Sequence, residues 1–258
     1  MKIKDPYAEF QHEKLENGLS IYHIKTDDNF IFASINIHSG ASSDPIGKEG
    51  MAHFVEHMVS NNAFISGKEL KEFFNQFGGN AMLGMTYTYM TRYSFKIPLR
   101  EDLLRSALFL FGGMLCEGDL VNGLEKERQI IINEYKRKYK VQEFYELYRS
   151  INSIVFPETS SSRALSSLGN LDFIKSVELS ELNNFFTSHY IPKNMSIVSC
   201  GNISVQKMLE IVKDSIFGKG ADLPIELPNS DLVKKILKKS LHPREYENPI
   251  FEISVSKV

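Results

Sequence analysis

The sequence predicts an α+β domain, a mixed and largely antiparallel sheet packed with helices. Three observations carry that reading. Alternating apolar segments occur at 14–24, 30–40, 86–97 and 194–202. Segments with helical apolar spacing fill most of the intervals between them. The length of 258 residues, with 42% hydrophobic and 24% charged residues, is ordinary for a globular chain with a buried core.

Taken in order, KLENGLSIYHI (14–24) reads as a turn at Asn17-Gly18 that leads into a strand. FIFASINIHSG (30–40) is a second strand, with Phe30, Phe32, Ser34 and Asn36 on one face and Ile31, Ala33, Ile35 and Ile37 on the other. A loop follows, broken by Gly40, Pro45, Gly47 and Gly50, and then a helix over about 50–61. SGKELKEFFNQFG (66–78) is a helix with a serine N-cap and a terminal glycine; Phe73, Phe74 and Phe77 on it read as core. Thr86 to Ile97 alternates as a strand. The stretch from 101 to 116 has buried-helix spacing, and 124–140 is a long charged helix with an apolar stripe. FYELYRSINSIVF continues helical to Pro157. A helix over 176–190 shows an incomplete capping box at Ser176, NMSIVSCGN (194–202) is a buried strand, and 204–218 is a helix.

After Gly218 the composition turns Gly- and Pro-rich, which divides the chain into a main domain over 1–218, the one that bears the motif GMAHFVEHM, and, over 219–258, a linker with the start of a truncated second domain. Within that tail LVKKILKK (232–239) is a basic amphipathic stretch, read as a solvated helix covering an apolar face, and IFEISVSKV is one alternating strand. The net charge of −2 gives no footprint for nucleic acid. No run approaches the roughly 18 apolar residues of a membrane span, and the N-terminus has no secretory pattern. Cys116 and Cys200 are too few for a disulfide framework, so a reducing, cytoplasmic setting is expected.

The segment with the most chemistry is GMAHFVEHM (50–58). On a helix, His53 and His57 lie on one face and can place two imidazoles on one cation. Zinc accepts neutral imidazole and, in catalytic sites, keeps a position for water. Glu56 beside them can take a proton from that water and return it to a leaving amine. H-x-x-E-H is the inverse of the commoner H-E-x-x-H order. The competing reading is a solvated helix face. The helix over 124–140 offers Glu125, Glu127 and Glu134 as further ligands. Glu127 and Glu134 share a face and stand roughly 10 Å apart along the axis. Their alternative is ion pairing with Arg128, Lys136 or Arg137. His12, His23, His38, His189 and His242 have no ligand spacing and read as surface or packed residues.

GMAHFVEHM, the double glycine at 78–79 and EKERQIIINE together resemble the pitrilysin/insulinase family of inverted-motif zinc peptidases, which includes the mitochondrial processing peptidases. The family's third ligand is a glutamate 77 residues beyond the second histidine, where this chain has Glu134. The segment 167–204 resembles the family's closing helix and strand, through Tyr190, Pro192, Asn194, Met195 and Gly201. The resemblance implies Zn2+ held by His53, His57 and Glu134, with Glu56 as general base and Glu127 orienting the site or lying near the substrate. It implies a zinc-dependent endopeptidase acting on peptides or unfolded polypeptide segments. A homologous second half or partner subunit is also implied, because family members build a chamber from two halves. The chain departs from the family after the double glycine: Asn80-Ala81 come early, and Leu83-Gly84 stand where Asn-Ala precedes the threonine of the substrate-pairing edge strand. The rival expectation is a non-catalytic assembly subunit of the same fold; filled ligand positions favour the enzyme.

Overall fold

The computed structural model describes residues 10–139 and 168–219, with Leu147, Ser150, Ile151 and Ile154 between them. The expected linker and second-domain segment beyond Lys219, including 232–239 and the last strand, lie outside the described residues, as does most of the helix expected up to Pro157.

Six strands form one sheet: β1 (Gln11–Lys14), β2 (Ser20–Lys25), β3 (Phe30–Ile37), β4 (Asn80–Met82), β5 (Thr91–Pro98) and β6 (Met195–Gly201), in the order β1-β2-β6-β3-β5-β4. The β2–β6 pair is parallel and every other pair is antiparallel, as the sequence predicts for the class. Gly18, at φ +89, turns β1 into β2, and a Cβ there would stand 2.7 Å from the Lys193 side chain. The alternation of β3 sets its register. Ile31, Ala33, Ile35 and Ile37 are fully buried, while Phe30 and Phe32 on the other face are partly exposed.

The described helices are α1 (Met51–Val59), α2 (Gly67–Gln76), α3 (Glu101–Gly112), α4 (Leu124–Tyr139), α5 (Leu171–Ser176), α6 (Leu179–His189), α7 (Val205–Lys213) and α8 (Ile216–Lys219). Ser66 and Glu69 form a complete capping box on α2. Phe73 and Phe74 are buried, Phe77 packs at the edge of the core, and the Phe74 ring lies 5.4 Å from Phe95 of β5 and 5.8 Å from Phe111 of α3. Among the described residues no helix is long and apolar enough to cross a membrane.

The boundaries correct four expectations. The strand predicted from Thr86 begins at Thr91, because 87–90 form a tight turn closed by the Tyr87 N–H donating to the Met90 carbonyl at 2.8 Å, and Thr86 makes a single bridge back to Thr91. The helix predicted over 176–190 is two: Ser176 ends α5, and Glu178 with Glu181 makes the capping box that starts α6. The segment 204–218 likewise divides at Ser215 between α7 and α8. The helix predicted over 101–116 ends as a regular α-helix at Gly112 and finishes in a π turn over Gly113–Glu117.

Candidate metal centre

The motif helix α1 starts at Gly50, held left-handed at φ +101. Its first-turn amides would lack intrahelical partners. Asp44 supplies them: its carboxylate accepts from the Gly50 N–H at 2.6 Å and the Ala52 N–H at 2.8 Å. A negative charge there also suits the helix dipole. Phe54, Val55, Met58 and Val59 bury the apolar side of α1, which leaves His53 and His57 facing α4.

Helix α4 is fastened by Arg128, a buried side chain. Its guanidinium donates to the Val177 carbonyl at 2.7 Å and to the Ile174 carbonyl, at the junction of α5 and α6. It also pairs with Glu125 at 3.0 Å and lies 5.7 Å from the centre of the Phe54 ring on α1. A planar donor fork suits several fixed carbonyls at once, which a lysine would not reproduce. Arg128 thus docks α4 against the helix that bears the histidines. Glu127, Ile131 and Glu134 then face the site or the core from one side of α4.

The three predicted ligands converge. One donor atom from each of His53, His57 and Glu134 lies within 4.8 Å of the others, and among the described residues they are the one such group of His, Cys, Asp and Glu. Glu134 Oε2 stands 3.7 Å from Nε2 of each histidine. The two rings are nearly perpendicular, with centroids 4.7 Å apart. Those separations are too long for direct hydrogen bonds and leave a space ringed by three donors. Two imidazoles and a carboxylate suit zinc, which takes nitrogen and oxygen ligands at about 2.0–2.2 Å.

Glu127 does not join this ring; it stands behind it. Its Oε2 lies 3.1 Å from His57 Nδ1, and its Oε1 accepts from the Asn61 amide at 3.2 Å. A carboxylate on Nδ1 favours the proton at that nitrogen and leaves the Nε2 lone pair toward the ligand point. Burial works to raise the Glu127 carboxyl, but the hydrogen bonds from His57 and Asn61 outweigh it and hold it below the usual range. Burial works to lower His57, but the hydrogen bond to Glu127 and the charges of Glu56, Glu127 and Glu134 outweigh it and raise the imidazole.

Glu56 sits beside the ring under a hairpin. Its Oε2 accepts from the Thr86 hydroxyl at 3.1 Å. Burial raises its carboxyl above the ordinary range; His57 and the Thr86 bond oppose that in part. Gly84, at φ +148, lies against the same carboxylate, and a Cβ there would stand 2.5 Å from Glu56 Oε1. Thr86 bridges to Thr91 across the turn. Asn80 and Ala81 are strand residues, paired with Lys96 and Phe95 at the end of the sheet, whereas Leu83 and Gly84 lie beyond the strand.

Asn61, Gly84 and Asp44 carry roles that the sequence reading misses, and so does the bond from Thr86 to Glu56. A glycine where a strand residue belongs is the one signal that could have found Gly84; a side-chain bond from Asn61 leaves no periodicity to read. Of the histidines read as surface or packed residues, His242 lies outside the described residues, and His23 and His189 are packed. His23 is buried between Ser199 Oγ at 2.8 Å and the Ile203 carbonyl at 3.1 Å, and burial lowers its imidazole. His189 stacks on Phe185 with centroids 4.0 Å apart.

The fold and the grouping of His53, His57 and Glu134 have the form of a metallopeptidase domain. The chain belongs to the insulinase family, peptidase family M16, whose model matches residues 21–165; the model of the family's inactive domain matches residues 176–255. It is 25% identical to the mitochondrial-processing peptidase subunit beta of Saccharomyces cerevisiae, over 76% of this chain and 42% of that protein. It is 22% identical to the zinc protease PqqE of Helicobacter pylori, over 79% of this chain and 46% of that protein. In structure it resembles the first half of the periplasmic protease PqqL from Escherichia coli, with a TM-score of 0.69 at 21% identity, over 86% of this chain and 48% of that one. The chain spans about half or less of the length of the curated relatives it matches, from 22% to 51%.

Proposed function

We propose that this chain carries the zinc site of an endopeptidase that cleaves peptides or unfolded polypeptide segments. The observation that carries the reading is the convergence of His53, His57 and Glu134 on one point, with Glu56 alongside. His53 and His57 would hold Zn2+ through Nε2 and Glu134 through its carboxylate; the donor set and its spacing fit that ion. Zinc, when bound, supplies Lewis acidity to the peptide carbonyl and to water. Glu56 takes the proton of the attacking water and delivers it to the leaving amine. Its raised carboxyl, set first by burial, suits a group that must both accept and return a proton. Thr86 holds one Glu56 oxygen, and Gly84 lies against the other. Glu127 keeps the His57 proton on Nδ1 and acts as a positioning residue.

Strand β4 ends the sheet, so an extended peptide can add to its outer side through backbone hydrogen bonds. That mode favours unfolded segments over folded ones. A homologous second half or subunit completes the active protein; the support is that the chain spans about half or less of its relatives. The cytoplasmic setting is proposed with Cys116 and Cys200 as separate thiols in its support.

The test is cleavage of an unstructured peptide library, with chelator and Glu56→Gln controls. The chain alone is expected to turn over little, because a substrate misplaced by an ångström costs on the order of 10²-fold. Adding the second half or partner should restore cleavage without changing zinc content. Robust cleavage by the chain alone, abolished by both controls, would refute the need for a partner. No cleavage by the completed assembly would refute the peptidase reading.

A further inference from the structure

The polar groups behind the ligand ring form a relay that starts at the end of α1. Asn61 donates to Glu127 Oε1 at 3.2 Å, and Glu127 Oε2 lies 3.1 Å from His57 Nδ1. We infer that Asn61 is a positioning residue of the metal centre: it holds Glu127 so that the His57 ring keeps Nε2 turned toward His53 and Glu134. This rests on reading those three residues as zinc ligands.

Asn61 is itself fixed. Its N–H donates to the Met58 carbonyl at 2.8 Å, and its backbone bridges to Ser66. Its amide lies against Gly123, where a Cβ would stand 3.3 Å from Asn61 Cγ. Gly123, at φ +85, opens the first turn of α4, and its carbonyl accepts from the Glu127 N–H at 2.8 Å. The glycine that starts α4 therefore leaves room for the amide that orients Glu127.

With both oxygens engaged, the Glu127 carboxylate cannot turn without losing a bond. Without the Asn61 amide, the cation nearest Oε1 is Lys126, 3.9 Å away on a largely exposed side chain. It would draw Glu127 outward, away from His57. The plainer alternative is that Asn61 only stitches the end of α1 to the start of α4. That role would change folding stability and would not act through Glu127.

The two roles separate in a double-mutant cycle on the 258-residue chain. Zinc affinity is read by competition with a chromophoric chelator, and thermal unfolding of the metal-free protein is read beside it. Outer groups that orient metal ligands typically contribute 10–100-fold in affinity, so Asn61→Ala is expected to weaken zinc binding about 10-fold. In a Glu127→Ala background the same change should move affinity by less than about twofold, because the route to His57 is gone. Asn61→Asp keeps the size and loses the donor; it should weaken zinc binding as well, and it carries the test if Asn61→Ala does not fold. Affinity unchanged in the folded Asn61 variants overturns the inference. So does a full 10-fold loss that persists without Glu127. If the wild-type chain binds no zinc, or His57→Ala binds it as wild type does, the ligand reading itself fails and the inference falls with it.

Discussion

Two helices hold the ligand side of the site, and one hairpin holds the base side. His53 and His57 stand on α1 and Glu134 on α4, both helices anchored by buried apolar faces and by Arg128. Glu56 stands on α1 as well, but its carboxylate is held by Thr86 and Gly84, from the loop between β4 and β5. The ligand side is held by whole elements packing together. The base side is held by one hydroxyl and by a glycine that lets a backbone approach within contact of a carboxylate. Metal binding and proton transfer should therefore fail separately.

The largest separation is expected from Glu56→Gln. The amide keeps the shape and cannot accept a proton, so cleavage by the complete protein should fall by about 10²–10⁴-fold. Zinc content, measured by elemental analysis, should stay at the wild-type level. On the hairpin, Gly84→Ala places a methyl 2.5 Å from Glu56 Oε1 at a φ of +148, so the carboxylate must move. A displaced base should cost on the order of 10²-fold in kcat, again with zinc retained; unchanged kcat would show that the hairpin does not set the base. Thr86→Val removes the 3.1 Å bond to Glu56 Oε2 and keeps the bulk of the side chain. The expected loss is about 10-fold in kcat, or roughly 1.4 kcal/mol of barrier, and Thr86→Ser should recover most of it. Smallest for the chemistry is Asp44→Ala, which leaves the Gly50 and Ala52 amides unsatisfied. It should cost about 1–2 kcal/mol in urea unfolding, with the zinc affinity of the remaining folded protein changed little.

The ligand side was also the legible side. Helical periodicity places His53 with His57, and a 77-residue spacing matched to a family singles out Glu134 from three candidate glutamates. Glu127 was legible only as an orienting or substrate-facing residue; its partner, His57 Nδ1, required the docking of α4 on α1. The hairpin was misread as strand from Thr86, because alternation continues through a turn whose residues are Tyr, Thr and Met rather than glycine. Likewise β1 has no apolar pattern in QHEK, and β4 is three residues long; pairing with the next strand along the chain, β2 or β5, defines each. The break between α5 and α6 was hidden because Val177 continues the apolar stripe while bending the backbone out of the helix. Periodicity and a motif spacing were readable; the local turns and the side-chain bonds between elements were not.

The central claim is that His53, His57 and Glu134 form one zinc site with Glu56 beside it but outside the ligand set. Zinc content per chain, in protein purified without added metal, tests it most directly across wild type, Glu134→Ala, His57→Ala and Glu56→Gln. The account predicts about one zinc for wild type and Glu56→Gln, since a catalytic zinc site uses three protein ligands, and a fall to background for the other two. Full zinc in Glu134→Ala or His57→Ala, or its loss in folded Glu56→Gln, would contradict it.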